Sequence, residues 1–227
     1  MPFSASAEAG QPTGTRIDLS ATETVRIAND EVVISFRVEK EGESADDVRL
    51  YVNRVAGVIQ QRLKKEPGVK LKTVGRNIQP VWKYPKHGQR MRTGWRMIQS
   101  GQVISSKLDA VPKWLDGIEA AGARISSLQF RVGNTASQQA ENRLRLKAIA
   151  AFRRQAMTIA KGLNAKHFRI IHLDTASHAP QPVIYRSRAM MAKSADGVSP
   201  SLAAGGSRLD VTVNGTIQVP YTDFPVP

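Results

Sequence analysis

EVVISFRVEKEGESADDVRLYVNRVAGVIQQRL, residues 31–63, is the stretch that decides the fold class. Over Glu31–Glu39 the residues alternate: Val32, Ile34, Phe36 and Val38 fall on one side, Ser35, Arg37 and Glu39 on the other. A period of two with one apolar face is a half-buried strand. Glu41-Gly42 turns the chain. Ser44 then offers a helix N-cap, with Asp47 at capping-box spacing. Val48, Tyr51, Val52, Val55, Ile59 and Leu63 follow at three- and four-residue intervals. They predict an amphipathic helix from about Ala45 to Lys65, ended by Pro67-Gly68.

The same reading extends outward. Upstream, Thr22–Ala28 is a strand turned by Asn29-Asp30. Downstream, Val69–Val74 and Asn77–Tyr84 are extended, Pro85–Gln89 is a turn, and Arg92–Ser106 returns as a long strand, which together make a hairpin. Asp109 caps a shorter helix with a stripe of Val111, Trp114, Leu115, Ile118 and Ala121, and Gly122 stops it. Ile125–Val132 is a strand with Leu128, Phe130 and Val132 inward. Asn134 or Ser137 opens the longest helix, to about Lys161, with Leu144, Ala148, Phe152, Ile159 and Leu163 on its core side. Lys166–Thr175 is a strand. Ala176–Gly206, with its Met190-Met191 pair, has no period and reads as a long mobile loop. Arg208–Val219 alternates strictly, with Leu209, Val211, Val213, Ile217 and Val219 on one face. The expected fold is α+β, mainly antiparallel strands with three helices packed on the sheet. The expected organisation is a single domain over 21–220, after a flexible segment over 1–20 and before a tail over 221–227.

Composition narrows the function. There is no Cys, which excludes disulfide staples, thiolate zinc sites, iron–sulfur clusters and cysteine catalysis. No apolar run approaches the ~20 residues of a membrane-spanning helix. Met1–Gly14 lacks both the basic and the apolar region of a signal peptide. It fits either a cytoplasmic chain or an exported one whose signal has been removed. No Walker-type phosphate loop, no G-x-G-x-x-G and no G-x-S-x-G elbow occurs. Of the four His, His172 shares a strand face with Asp174, and His178 follows. That trio could be an acid–base or metal cluster, but the plainer reading is a polar strand end. The expectation is no catalytic residue, no metal and no cofactor.

Charge is the strongest signal. Lys and Arg number 33 against 19 Asp and Glu, a net charge of +14. Arg143, Lys147, Arg154 and Lys161 fall on one stripe of the long helix. Arg90, Arg92 and Arg96 cluster near the hairpin, with Trp82, Tyr84 and Trp95 beside them. Cations interleaved with rings suit a polyanion, nucleic acid included, or an anionic lipid surface. The alternative is a solvated helix face with core or interface aromatics. Long strands such as Arg208–Val219 also present edges that a second copy of the chain, or the Ala176–Gly206 loop, could cover.

One segment resembles a known family. Arg92–Asn134 is similar to the central block of SIMPL-domain proteins, in which a Gly-aromatic strand leads to a short leucine–aspartate helix, an Ala-Gly turn and a strand. Here these are Gly94-Trp95, Leu108-Asp109, Ala121-Gly122-Ala123 and Leu128–Phe130. The Asp30–Val38 strand, the Val-rich helix, and Thr73 to Pro80 leading into Trp82–Tyr84 extend the likeness over roughly Ala21 to Val219. The resemblance implies a protein of the periplasm or outer membrane, some relatives being immunogenic outer-membrane proteins. It also implies a homo-oligomer, ring-like in some relatives, and a part in envelope or oxidative-stress tolerance. An animal relative is a kinase signalling adaptor. No catalytic residues define the family. The Arg-rich long helix departs from its usual Ala/Lys mixture. The resemblance therefore favours a non-enzymatic binding or scaffold protein. The alternative is a cytoplasmic nucleic-acid-binding protein.

Overall fold

The computed structural model describes residues 14–85, 88–182 and 204–224. The elements in order are β1 (Thr15–Ala28), β2 (Glu31–Gly42), α1 (Ala45–Lys64), β3 (Val69–Lys83) and β4 (Met91–Ser105). A 3-10 turn (Leu108–Ala110), α2 (Val111–Ala120), β5 (Arg124–Arg131), α3 (Asn134–Gly162), β6 (Arg169–Ser177), β7 (Gln181–Pro182) and β8 (Gly206–Val219) follow. The α+β class holds, and the strands form two sheets, each with its own helical cover. Two compact units result. Ala28–Asn134 makes up most of the first. The second takes the chain up to Ile27, then Thr135–Gln181, then the chain from Arg208.

In the first unit the sheet runs β3-β4-β2-β5, with each neighbouring pair antiparallel. The alternation of β2 does what its pattern requires: Val32, Ile34, Phe36 and Val38 are buried against Val48, Val52, Val55, Ile59 and Leu63 of α1. Ser44 caps α1, its hydroxyl accepting from the Asp47 amide at 3.3 Å. Phe36 pairs directly with Gly101 on β4. A Cβ at 101 would lie 2.5 Å from Phe36 Cζ, so the glycine is the space that the ring occupies.

Two expectations are corrected here. β3 is one strand, because a bulge between Thr73 and Gly75 absorbs the break read after Val74. Asp109 is not a cap. It lies in the 3-10 turn, and α2 begins at Val111 with Pro112 in its first turn, where a missing N–H costs nothing. The expected turn over Pro85–Gln89 includes residues 86 and 87, and the Ala176–Gly206 loop includes 183–203. Both stretches lie outside the described residues, as do 1–13 and 225–227.

In the second unit β8 is the middle strand, between β1 and β6, with β7 also paired to it. The side-chain pairs Asp18–Thr216, Thr22–Thr212 and Thr24–Asp210 run in opposite directions along β1 and β8, so the two are antiparallel. The β6–β8 pair is antiparallel as well. β1 starts at Thr15, well before Thr22, so residues 15–20 of the expected flexible segment are strand. Ile17, Leu19, Val25 and Ile27 pack on the core beneath α3. Gly14 sits against the Val219 carbonyl, which brings the two ends of the sheet together.

α3 spans 29 residues. Its buried stripe is Ala140, Leu144, Ala148, Phe152, Ala156 and Ala160. Four alanines bring the helix axis close to the sheet, while Leu163 only flanks the core and Ile159 is half-buried. Phe152 is the large exception, and Gly215 on β8 makes room for it: a Cβ there would be 2.9 Å from Phe152 Cζ.

Candidate polyanion-binding surfaces

Arg143, Lys147, Arg154 and Lys161 stand at i, i+4, i+11 and i+18 of α3. At about 100° per residue they fall within about 40° of one another. All four are exposed. Near the N-terminal half of α3 a groove of about 400 Å³ runs between the helix and β1. Arg143 and Lys147 line it from the helix, Glu23 and Arg26 from the strand. Glu23 sits on the helix-facing side of β1, and Arg154 approaches its carboxylate at 4.0 Å. Arg143 Nε donates to the Gln139 carbonyl at 3.3 Å, a contact within its own helix that leaves its charge uncompensated. Among the described residues, the stripe therefore carries four cations against one nearby carboxylate. Among the described residues no aromatic side chain lines the groove. Glu23 and Arg26 were not anticipated. The alternation of β1 puts Glu23 on the face of Val25 and Ile27, toward the helix, but gives no such signal for Arg26.

The hairpin arginines divide into two kinds. Arg96 is held by carboxylates: its Nη2 lies 2.8 Å from Glu41 and its Nε 3.6 Å from Glu39. The hydrogen bonds that Arg96 donates to Glu41 raise its pKa. Arg90 and Arg92 instead stack on rings. Arg90 lies 4.5 Å from the Trp82 centroid, and Arg92 lies 5.1 Å from that of Trp95. A bulge between Val81 and Trp82 sets this up, because it pairs Trp82 with Arg92 while Pro80 pairs with Trp95. A guanidinium stacked on indole is oriented without spending its N–H donors, which remain available to an oxyanion.

The remaining candidates stay apart. His172 and Asp174 are exposed on β6, and the His178 amide donates to the Asp210 carbonyl at 3.4 Å. Among the described residues, no group of three or more His, Asp or Glu is placed to hold a metal ion. His87 lies outside them. Asp210 is a perturbed acid of this unit. The Thr24 hydroxyl, donating at 2.6 Å, and then Arg208 hold its pKa below the ordinary 3.8. Among the described residues no helix is long and apolar enough to cross a membrane.

Against known proteins, a family model described as "SIMPL: Protein of unknown function (DUF541)" matches residues 17–217. No curated protein matches the chain.

Proposed function

We propose that this chain, which belongs to the SIMPL family, is a non-enzymatic, homo-oligomeric scaffold of the cell envelope that holds polyanions on the basic stripe of α3. Its place would be the periplasm or the outer-membrane surface, and its role tolerance of envelope or oxidative stress. The observation that carries the reading is the stripe itself: Arg143, Lys147, Arg154 and Lys161 are exposed on one helix face with Glu23 alone against them. Cations in that ratio serve a polyanion better than they serve the fold, since exposed pairs add little stability. The lack of rings in the groove speaks for backbone charge over base stacking, and so against the single-stranded nucleic-acid alternative.

Self-association has a physical motive as well. Among the described residues β6 is an edge strand, and Ile170, Ile171 and Leu173 are 38%, 40% and 39% exposed on it. An exposed apolar edge is closed by a further strand. The test combines light scattering with retention on a heparin column. The expected results are a discrete multi-subunit mass, and loss of retention on replacing Arg143, Lys147 and Arg154 with Glu. A monomer sinks the scaffold. Unchanged retention of the triple variant sinks the site.

A further inference from the structure

The β3–β4 hairpin reaches past the rest of its sheet. β2 pairs with β4 as far as Gly42 opposite Trp95, while β3 and β4 continue to Lys83 opposite Met91. Where β2 ends, a Cβ on Gly94 would lie 2.6 Å from the Gly42 carbonyl, so the chain leaving β2 closes against β4. Farther out, Trp82 and Lys83 pair with Arg92 and Met91 and, among the described residues, with no third strand. A ribbon of two strands is marginal by itself. The stacks of Arg90 on Trp82 and of Arg92 on Trp95 brace this one.

The side chains at its end are not core. Trp82 is 39% exposed, Tyr84 72% and Met91 65%. Ile78 and Trp95, nearer the sheet, pack against the core of this unit, and none of the three does. Large apolar side chains exposed together mark a contact surface. The charge around them is of one sign. No Asp or Glu occurs between Glu66 and Asp109, a stretch that contains the whole hairpin. Arg96 draws on Glu39 and Glu41 of β2, but among the described residues no ion pair holds Lys83, Arg90 or Arg92. Solubility would account for the cations but not for the exposed rings.

Trp and Tyr concentrate where a bilayer meets water, since each has an apolar body and a polar tip. Lys and Arg in that layer keep their charge among the headgroups while their stems lie on apolar surface. Anionic lipid supplies the countercharge that this hairpin lacks. A single nucleic-acid strand needs a basic groove that tracks its backbone, whereas the end of a two-stranded ribbon is convex and meets a flat surface. We propose that the β3–β4 hairpin docks this protein on an anionic lipid bilayer. Trp82, Tyr84 and Met91 enter the boundary between headgroups and acyl chains, and Lys83, Arg90 and Arg92 meet the lipid phosphates. This goes beyond the polyanion reading of α3 and does not rest on it.

The probe is a vesicle of phosphatidylcholine and phosphatidylglycerol in equal parts, with pure phosphatidylcholine as the uncharged counterpart. Binding is read by co-sedimentation, and insertion by quenching of tryptophan emission with lipid brominated in its acyl chains. Mixed vesicles are expected to bind and to quench. Each cation at an anionic surface is worth about fivefold in affinity. Pure phosphatidylcholine should therefore bind about a hundredfold more weakly, and replacing Lys83, Arg90 and Arg92 with Gln should cost about the same factor. Tyr84→Ser with Met91→Ser alters side chains outside the core. The pair should leave the melting temperature in place and weaken binding to mixed vesicles by about tenfold or more. Trp82→Phe keeps a ring at the boundary and removes the reporter, so binding should persist and most of the quenching should vanish. Replacing Arg143, Lys147 and Arg154 on α3 with Glu should leave the quenching of bound protein unchanged, which separates the two surfaces. The proposal is overturned if mixed vesicles do not bind, if brominated chains leave the emission unchanged, or if Trp82→Phe keeps the parent's quenching. It is also overturned if the Tyr84/Met91 variant binds as the parent does, or if oligothymidylate changes the Trp82 emission and vesicles do not.

Discussion

Gly101→Ala should change the sign of its effect with the residue at position 36. In the parent protein the new methyl would lie 2.5, 2.9 and 3.1 Å from three atoms of the Phe36 ring, and those ring atoms are its nearest neighbours. Real methyl groups do not approach that closely, so the ring must shift in a packed core. Overpacking of this kind costs about 1–3 kcal/mol. Phe36→Ala alone should cost about 3–5 kcal/mol, because the ring is buried between β2 and α1 and leaves a cavity. In the Phe36→Ala background the clash is gone. Gly101 is not at positive φ, so alanine there is unstrained and should stabilise by about 0.4–1 kcal/mol through the unfolded chain. The coupling between the two substitutions is then about 1.5–4 kcal/mol, well outside the additivity expected of independent sites.

The assay suits the fold. Trp82, Trp95 and Trp114 are the only tryptophans and all lie within Ala28–Asn134, so tryptophan fluorescence in urea follows the unit that contains the pair. If Gly101→Ala costs the same in both backgrounds, within about 0.5 kcal/mol, the steric argument for Gly101 is wrong.

Two further predictions concern the second unit. With a DNA duplex as a polyanion of known charge density, four engaged cations give a slope of log K against log salt of about −3.6. Changing Arg143, Lys147, Arg154 and Lys161 to Gln should remove most of it, and an unchanged slope would clear α3 of the binding. Asp210 has a folded pKa below its unfolded value because Thr24 and Arg208 favour the carboxylate. Its contribution is therefore present above the unfolded value and lost as pH falls through the folded one. Calorimetry should show Asp210→Asn less stable than the parent near neutrality, with the difference vanishing in acid. A difference independent of pH would contradict the assignment.

Strong alternation and strong caps were legible in the sequence. β2, α1, the hairpin and β8 were readable because Val32–Val38, Val48–Leu63 and Leu209–Val219 each repeat one period without interruption. The core stripe of α3 was less visible, since four of its six buried residues are alanines and carry little hydropathy. The front of β1 was missed although Ile17, Leu19 and Ala21 alternate, because small and polar neighbours dilute the signal. Asp109 resembled a cap in type, but Pro112 moved the helix start.

The candidate sites were legible only in part. The α3 stripe follows from helical spacing alone. That Arg96 is tied to Glu39 and Glu41 while Arg90 and Arg92 stack on Trp82 and Trp95 depends on strand register and on a bulge, which no local pattern encodes.

The pairing of β1 with β8 also sets an order of manufacture. β8 is the middle strand of its sheet, so β1 and β6 have nothing to join until the ribosome has made the chain through Val219. Everything between Ala28 and Asn134 is available to fold first. β1 is made before β2 to β7 yet is among the last strands to find its neighbour, and it must be shielded from other chains meanwhile. The adjacency of Gly14 and Val219 offers a remedy. Joining Val219 to Gly14 through a short linker and reopening the chain within the Gly162–Arg169 connection would place β6, β8 and β1 in one consecutive run, and the second unit could then begin to assemble before the first is made.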